Sequence, residues 1–382
     1  SLAGSLYLGV IGGYEFLWLQ PLMMILGIVM LSAIAYVTLS TGKRPFQAMN
    51  EHVSPVLGWG WLLAAMMANL VWAMPQFSLG TAALQQNLFP HYLAGDSAKV
   101  ICVLGLFLIA TAVVWFYDSP GWGVRVFELS LKAMVGLVVL SFFGVVVAMS
   151  WKGELDWMSI AKGFVPDLSL LWRPVTGLHG FIDESSARDY WTTTILHAQR
   201  ERMIAAAATA VGINMTFLLP YSMLRKGWDR AFRGLAAFDL STGLFIPFLV
   251  ATSCVVIAAA SQFHAQFDER IISQPAADTA GSYRDNLEKR VRAESGSEDR
   301  SVLSESEMNA KIDALPSADR KLAYMLIKRD SLDLATALEN LFGKGGLTQK
   351  VFGIGVLGMA ISTIVILMVI NGFCVTEMTG RD

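Results

Sequence analysis

The residues best equipped to hold an ion lie in one run, Val211-Gly212-Ile213-Asn214-Met215-Thr216-Phe217-Leu218-Leu219-Pro220-Tyr221, inside an otherwise Ala-rich apolar stretch. Gly is a poor helix former and Pro removes a backbone hydrogen bond, so carbonyl groups there can be freed to face a cavity. The thioether of Met215 adds a soft ligand that favours transition metals over Mg²⁺ or Ca²⁺. The same residues also suit a kinked packing helix, with Met215 as one of 18 Met that fill space. A second polar stripe surrounds Gln76, which follows Pro75, with Asn69 on one side and Thr81 and Gln85 on the other. It reads either as part of the same path or as hydrogen bonding between helices. Gln76, Thr216 and Tyr221 are the further candidates along such a path.

Other chemistry is sparse. Glu128 and Lys132 are spaced for pairing on one helix face, and Glu15, Asp239 and Glu377 fall at the ends of apolar segments. All five His (His52, His91, His179, His197, His264) are expected in loops, without a second His or Cys at ligand spacing, which argues against a zinc site. No phosphate-binding Gly motif stands in a strand-turn-helix context. No catalytic constellation remains, so an enzyme is disfavoured and no cofactor is expected.

The elements that must carry these residues follow from composition. Of 382 residues, 54% are hydrophobic and only 16% charged, with a mean hydropathy of +0.50, against roughly 25% charged residues in soluble domains. The formal net charge of -2 provides no basic excess for nucleic acid. Cys102, Cys254 and Cys374 are isolated in apolar sequence and read as packing residues. An all-α polytopic membrane protein is the class that remains, with the lipid bilayer as its solvent.

Seven segments are long and apolar enough to span: 14–40, 57–88, 99–117, 126–151, 203–224, 236–263 and 350–375, preceded by the half-length piece 2–12. Lys43 and Arg44 in loop 41–56, and Arg225, Lys226, Arg230 and Arg233 in loop 225–235, place those loops on the cytoplasmic side. Trp18, Trp59, Trp61, Trp115, Trp151 and Trp228 fall near span ends, as interfacial aromatics do. Loop 152–202 is broken by Gly and Pro and should lie along the outer interface or fold back as a cap.

Segment 264–349 holds about half of the charges, of both signs, and is a solvated external insertion. Its centre, 293–307, lacks apolar periodicity and is expected to be flexible, while 305–328 has the spacing of surface helices. The expected organisation is therefore a transmembrane core 1–263, the insertion 264–349, and a further helix with its cytoplasmic end, 350–382.

Several stretches, taken in order, resemble the natural resistance-associated macrophage protein (NRAMP) family of divalent-metal transporters. Gly13-Tyr14 with Leu17-Trp18 looks like the start of the family's second helix, and Leu39 to Gly42 like its end. Gly80-Thr81-Ala82 resembles the third helix, Glu128 to Pro166 the fifth and its loop, and Val351 to Gly355 with Ile361-Ser362-Thr363 the eighth. The resemblance implies a LeuT-like fold of five-plus-five inverted repeats with broken helices, here incomplete at both ends. In that register Ser1 takes the Asn position of the family's Asp-Pro-Gly-Asn metal-binding turn.

Gly212 and Met215 match the family's Ala-x-x-Met by spacing, and Thr216 and Phe217 stand where its Pro and His would be. The resemblance thus implies Ser1, Gly212, Asn214 and Met215 as metal-site residues. The family's third-helix carboxylates are replaced in the region of Met74, Gln76 and Phe77. The implied function is divalent-cation transport, of the Mn/Fe type or of Mg²⁺, with weakened or absent proton coupling. An organic-solute transporter on the same fold and a non-transporting membrane scaffold are the alternatives. Oligomeric state is not legible.

Overall fold

The computed structural model describes residues 2–89, 92–93, 95–116, 122–208, 212, 214–267, 277–295, 304–327, 329, 333–334, 337 and 347–380. Every regular element among these is helical. Among the described residues, six stretches are long and apolar enough to cross a membrane: Leu19–Thr41, Pro55–Leu88, Ser97–Trp115, Glu128–Trp151, Arg230–Phe263 and Lys350–Thr379. At 1.5 Å per residue even a helix of about 20 residues reaches across the hydrocarbon. These are six of the seven expected spans.

The seventh, 203–224, is not one helix. In chain order the elements are α1 (Leu2–Gly12), α2 (Leu19–Thr41), α3 (Pro45–His52), α4 (Pro55–Ala82), α5 (Asp96–Trp115), α6 (Trp122–Trp151), α7 (Trp157–Gly163), α8 (Thr176–Glu184) and α9 (Arg188–Ala208). They continue with α10 (Met215–Arg225), α11 (Arg233–Asp239), which runs through a π turn into α12 (Phe245–Phe263), then α13 (Ala277–Ser295), α14 (Glu305–Asp313), α15 (Ser317–Met325) and α16 (Leu347–Thr379). The expected fifth span is therefore split between α9 and α10. Helix α9 also starts at Arg188, well inside the stretch expected as a loop to residue 202. Hydropathy reports which solvent a residue meets, and a polar sequence such as RDYWTTTILHAQRER can be helical outside lipid.

The chain divides into two compact units: residues 1–20, 149–207 and 252–334, and residues 21–148, 208–251 and 335–382. In the first, α1 passes through a 3-10 turn, Gly13–Phe16, whose Gly13 has φ +56°. A Cβ there would stand 2.6 Å from the imidazole of His264, so Gly13 makes room for that ring as well as for the backbone. Trp18 donates its backbone N–H to the Gly163 carbonyl at 2.8 Å. Its side chain is buried, unlike the exposed Trp115 and Trp151, so Trp18 is a core residue and not part of an interfacial belt.

Loop 152–187 is folded onto α9 by Gln199, which is fully buried. Its carboxamide accepts from Val175 N at 3.0 Å and donates to the Leu170 and Arg173 carbonyls at 3.1 and 3.2 Å. Asp156 caps α7, and Asp167 caps the next turn while pairing with Arg173. Hydrogen bonds from Ser159 hold the Asp156 carboxyl below the usual range, and bonds from Ser169 do the same for Asp167.

Within the insertion, α14 and α15 form where helical spacing was expected, α14 behind a capping box of Ser304 and Glu307. Helix α13 was not expected. It buries Tyr283, Leu287, Arg290 and Val291 on one face. Of the centre expected to be flexible, residues 296–303 lie outside the described residues, and residues 293–295 end α13. Asp319 of α15, fully buried, accepts from Trp191 Nε1 at 2.8 Å, Arg290 Nε at 2.9 Å, Ser185 Oγ at 3.0 Å and Ser186 N at 3.3 Å. Burial alone would raise its pKa, but these hydrogen bonds outweigh it and hold the carboxyl below its ordinary value.

In the second unit, α4 and α16 pack along their lengths. One seam joins Leu62 and Ala65 of α4 to Ile370 and Cys374 of α16 and to Phe217 and Tyr221 of α10. Glu128 pairs with Lys132 at 4.0 Å, as the i,i+4 spacing predicts, and with Lys226 at 3.3 Å.

Candidate functional site

Helix α9 is described as far as Ala208 and α10 from Met215, with Gly212 and Asn214 in neither helix. Asn214 caps α10: its side-chain oxygen accepts the Met215 N–H at 3.0 Å. The Gly212 carbonyl accepts the same N–H, also at 3.0 Å. Two carbonyl-type oxygens thus converge on a single donor. Each oxygen has a second lone pair, since a carbonyl can accept twice. The residue bearing that N–H is Met215, whose thioether is the soft ligand of the group.

Gly212 is held in place by a neighbour. A Cβ at this position would lie 3.1 Å from a ring carbon of Trp72 in α4, and closer still to the Asn214 carboxamide. Trp72 is one helical turn before Gln76, so Gln76 lies on the same face of α4 as the residue that touches the break. Pro220 is not at the interruption. It stands inside α10, where it withholds one donor, the one that would reach the Thr216 carbonyl.

The structure therefore brings the Gly212 and Asn214 oxygens together at the Met215 N–H, while Gln76 is shown only one helical turn from Trp72, the residue against Gly212. Thr216 follows Met215 in the first turn of α10, half-buried. Tyr221 stands about 9 Å beyond Met215 along that helix, where its hydroxyl donates to Glu377 and Arg44 lies 3.3 Å from the same carboxylate oxygen. Ser1 lies outside the described residues.

Phe217, at the position where the resemblance places a His, is fully buried and stacks on Trp61 with ring centroids 4.0 Å apart. The stack continues through Tyr221 to Phe373. The His residues are not all in loops: His52, His179 and His197 are in α3, α8 and α9, and His264 follows α12 with Nδ1 3.0 Å from the Val10 carbonyl. His91 lies outside the described residues. Among the described residues there is no group of three His, Cys, Asp or Glu side chains able to hold a metal.

For Asn69 of the polar stripe around Gln76, the structure shows the hydrogen bonding between helices that was one of its two expected readings. On the same helix face as Leu62 and Ala65, Asn69 is buried, whereas Trp72 is exposed and Gln76 half-buried. Asn69 is fully buried and donates its side-chain N–H to Asn371 Oδ1 at 3.1 Å.

Six apolar stretches of spanning length among the described residues mark an integral, multi-pass membrane protein. A family model described as natural resistance-associated macrophage protein-like matches residues 1–280, and the chain belongs to that family. A solved structure of a mutant of the manganese transporter of Eremococcus coleocola is 15% identical, with a TM-score of 0.53, over 99% of this chain and 68% of the other. A second, of the same organism's manganese transporter with an aromatic bis-isothiourea substituted compound, is 12% identical with a TM-score of 0.45, over 99% of this chain and 66% of the other. At 15% identity the first likeness speaks for the fold alone. No curated protein matches the sequence.

Proposed function

We propose that the protein transports divalent metal cations and that the turn Gly212 to Met215 binds the ion on its way. The observation that carries this reading is the convergence of the Gly212 carbonyl and the Asn214 carboxamide oxygen on the Met215 N–H. That turn offers two oxygens and a thioether within four residues, a mixed donor set suited to Mn²⁺ or Fe²⁺ and, through its oxygens, to Mg²⁺. Family membership and a structural neighbour that is a manganese transporter support the same class of substrate.

Proton coupling is weak or absent in this reading. Phe217 cannot accept a proton, and Met74, Gln76 and Phe77 supply no carboxylate to α4. An organic solute with a carboxylate would seek the N-terminus of α10, but Asn214 already occupies the Met215 N–H there.

The experiment is Mn²⁺ uptake into proteoliposomes with a lumenal pH dye. Uptake without acidification is the expected result. Acidification as strong as that of a conventional family member overturns the uncoupled part, and no uptake of Mn²⁺ or Mg²⁺ overturns the whole.

A further inference from the structure

The segment that follows α6 is too interrupted to span, yet much of its surface is apolar. Trp151 at the end of α6, Trp157 and Met158 of α7, and Val165, Leu168 and Trp172 beyond it are each at least half exposed. Trp157, Met158 and the exposed Ala161 fall on one side of α7, at i, i+1 and i+4. The opposite side, with Ile160 and Gly163, is buried. The same division continues past α7, where Leu170 is fully buried between the exposed Leu168 and Trp172.

The buried side is fastened within its own unit. A Cβ on Gly163 would stand 2.1 Å from the Tyr14 carbonyl oxygen, so backbone meets backbone there. The Gly163 carbonyl also accepts the Trp18 N–H at 2.8 Å, and the Leu170 carbonyl accepts from Gln199 of α9 at 3.1 Å. Polar side chains among the apolar ones find partners inside the segment. Asp156 accepts from the Ser159 hydroxyl, and Asp167 accepts from the Ser169 hydroxyl at 2.6 Å and from Arg173 at 2.7 Å. Trp157 Nε1 donates to Ser150 Oγ at 3.2 Å. A face that leaves water needs its polar groups satisfied in this way. Lys162, exposed on α7, has a stem long enough to carry its ammonium back to water.

We infer that residues 151–172 form an interfacial plate whose exposed side rests in the boundary between lipid headgroups and acyl chains. Its partner is the bilayer itself. The face is continuous along the chain with the spanning stretch Glu128–Trp151, which brings Trp151 to the membrane boundary. Three of the six large apolar side chains on it are Trp, whose apolar body and polar tip suit that boundary. Through Gly163 the plate fixes the depth of the turn that follows α1. This holds whichever solute the protein carries.

The test is electron paramagnetic resonance of the protein in liposomes, with a nitroxide attached at Met158→Cys or at Leu168→Cys. Power saturation with oxygen, which concentrates in lipid, and with a water-soluble nickel chelate reads the depth of the label. Leu104→Cys, exposed in the middle of α5, and Glu184→Cys, exposed at the end of α8, give the lipid and water ends of the scale. The three native Cys are buried, and unmutated protein taken through the labelling gives the background.

Both labels are expected about 5–10 Å into the boundary between headgroups and acyl chains. Access to the nickel chelate equal to that of Glu184→Cys, at either position, overturns the inference, since the face then lies in water. Access to neither reagent overturns it as well, because protein, from a second copy or from another segment of chain, then covers the face.

Discussion

Asp319 receives five hydrogen bonds and Arg290 is its ion-pair partner, with both side chains almost wholly buried. Asp319→Asn removes the charge and turns an amide donor toward groups that are themselves donors. Arg290 also reaches Glu294, at 3.0 Å, but that carboxylate is two-thirds exposed and compensates little. Breaking a buried pair by removing one partner costs about 3–5 kcal/mol, and the Trp191 N–H and Ser185 hydroxyl lose a charged acceptor as well. The expected loss is therefore about 3–5 kcal/mol, confined to the association of α13 and α15 with the start of α9. Hydrogen exchange of the purified protein measures it as the opening free energy of amides in α13 and α15. Protection lowered by about two to four orders of magnitude in those helices, with α4 and α16 unaffected, is the expected result. A loss below about 1 kcal/mol would refute the reasoning, because it would mean that the cluster is solvated.

The same carboxyl sets a pH dependence. Its folded pKa lies below its unfolded value, so its stabilisation is complete above about pH 4 and is lost as pH falls through the folded value. The stability difference between the wild type and Asp319→Asn, followed by the same exchange measurement, should therefore shrink on acidification below about pH 4. Asn214→Ala removes the cap of α10 and should cost about 1 kcal/mol in thermal or denaturant unfolding while lowering metal uptake. Phe217→Ala empties a fully buried, stacked position and should cost about 3–5 kcal/mol. If the melting point of Phe217→Ala is unchanged, the aromatic stack does not hold α10 against α4.

Much of the membrane part was legible because lipid imposes a simple rule: a helix must satisfy its own amides over about 20 apolar residues. Six of the spans follow from it. The interruption at Gly212 to Asn214 was legible for a local reason, the poor helix propensity of Gly and the capping preference of Asn. Pro220 misled because one missing donor inside α10 is tolerated when the rest of the helix is packed. The start of α9 at Arg188 was hidden because hydropathy separates lipid from water and not helix from loop.

What was illegible depends on partners far apart in sequence. Arg290 and Trp191 are 29 and 128 residues from Asp319, and nothing local marks them as neighbours. Asn69 and Asn371 are separated by 302 residues. The polar stripe that includes Asn69 was legible, with hydrogen bonding between helices as one of its readings; the partner, Asn371, was not.

The most direct test of the central claim is anomalous diffraction from crystals of the protein soaked in Mn²⁺. The account predicts an anomalous peak within about 3 Å of the Gly212 carbonyl and Asn214 Oδ1 and at thioether distance from Met215, and weaker in Met215→Ala. A peak elsewhere, or one that persists unchanged at the turn when both Asn214 and Met215 are replaced by Ala, would contradict it.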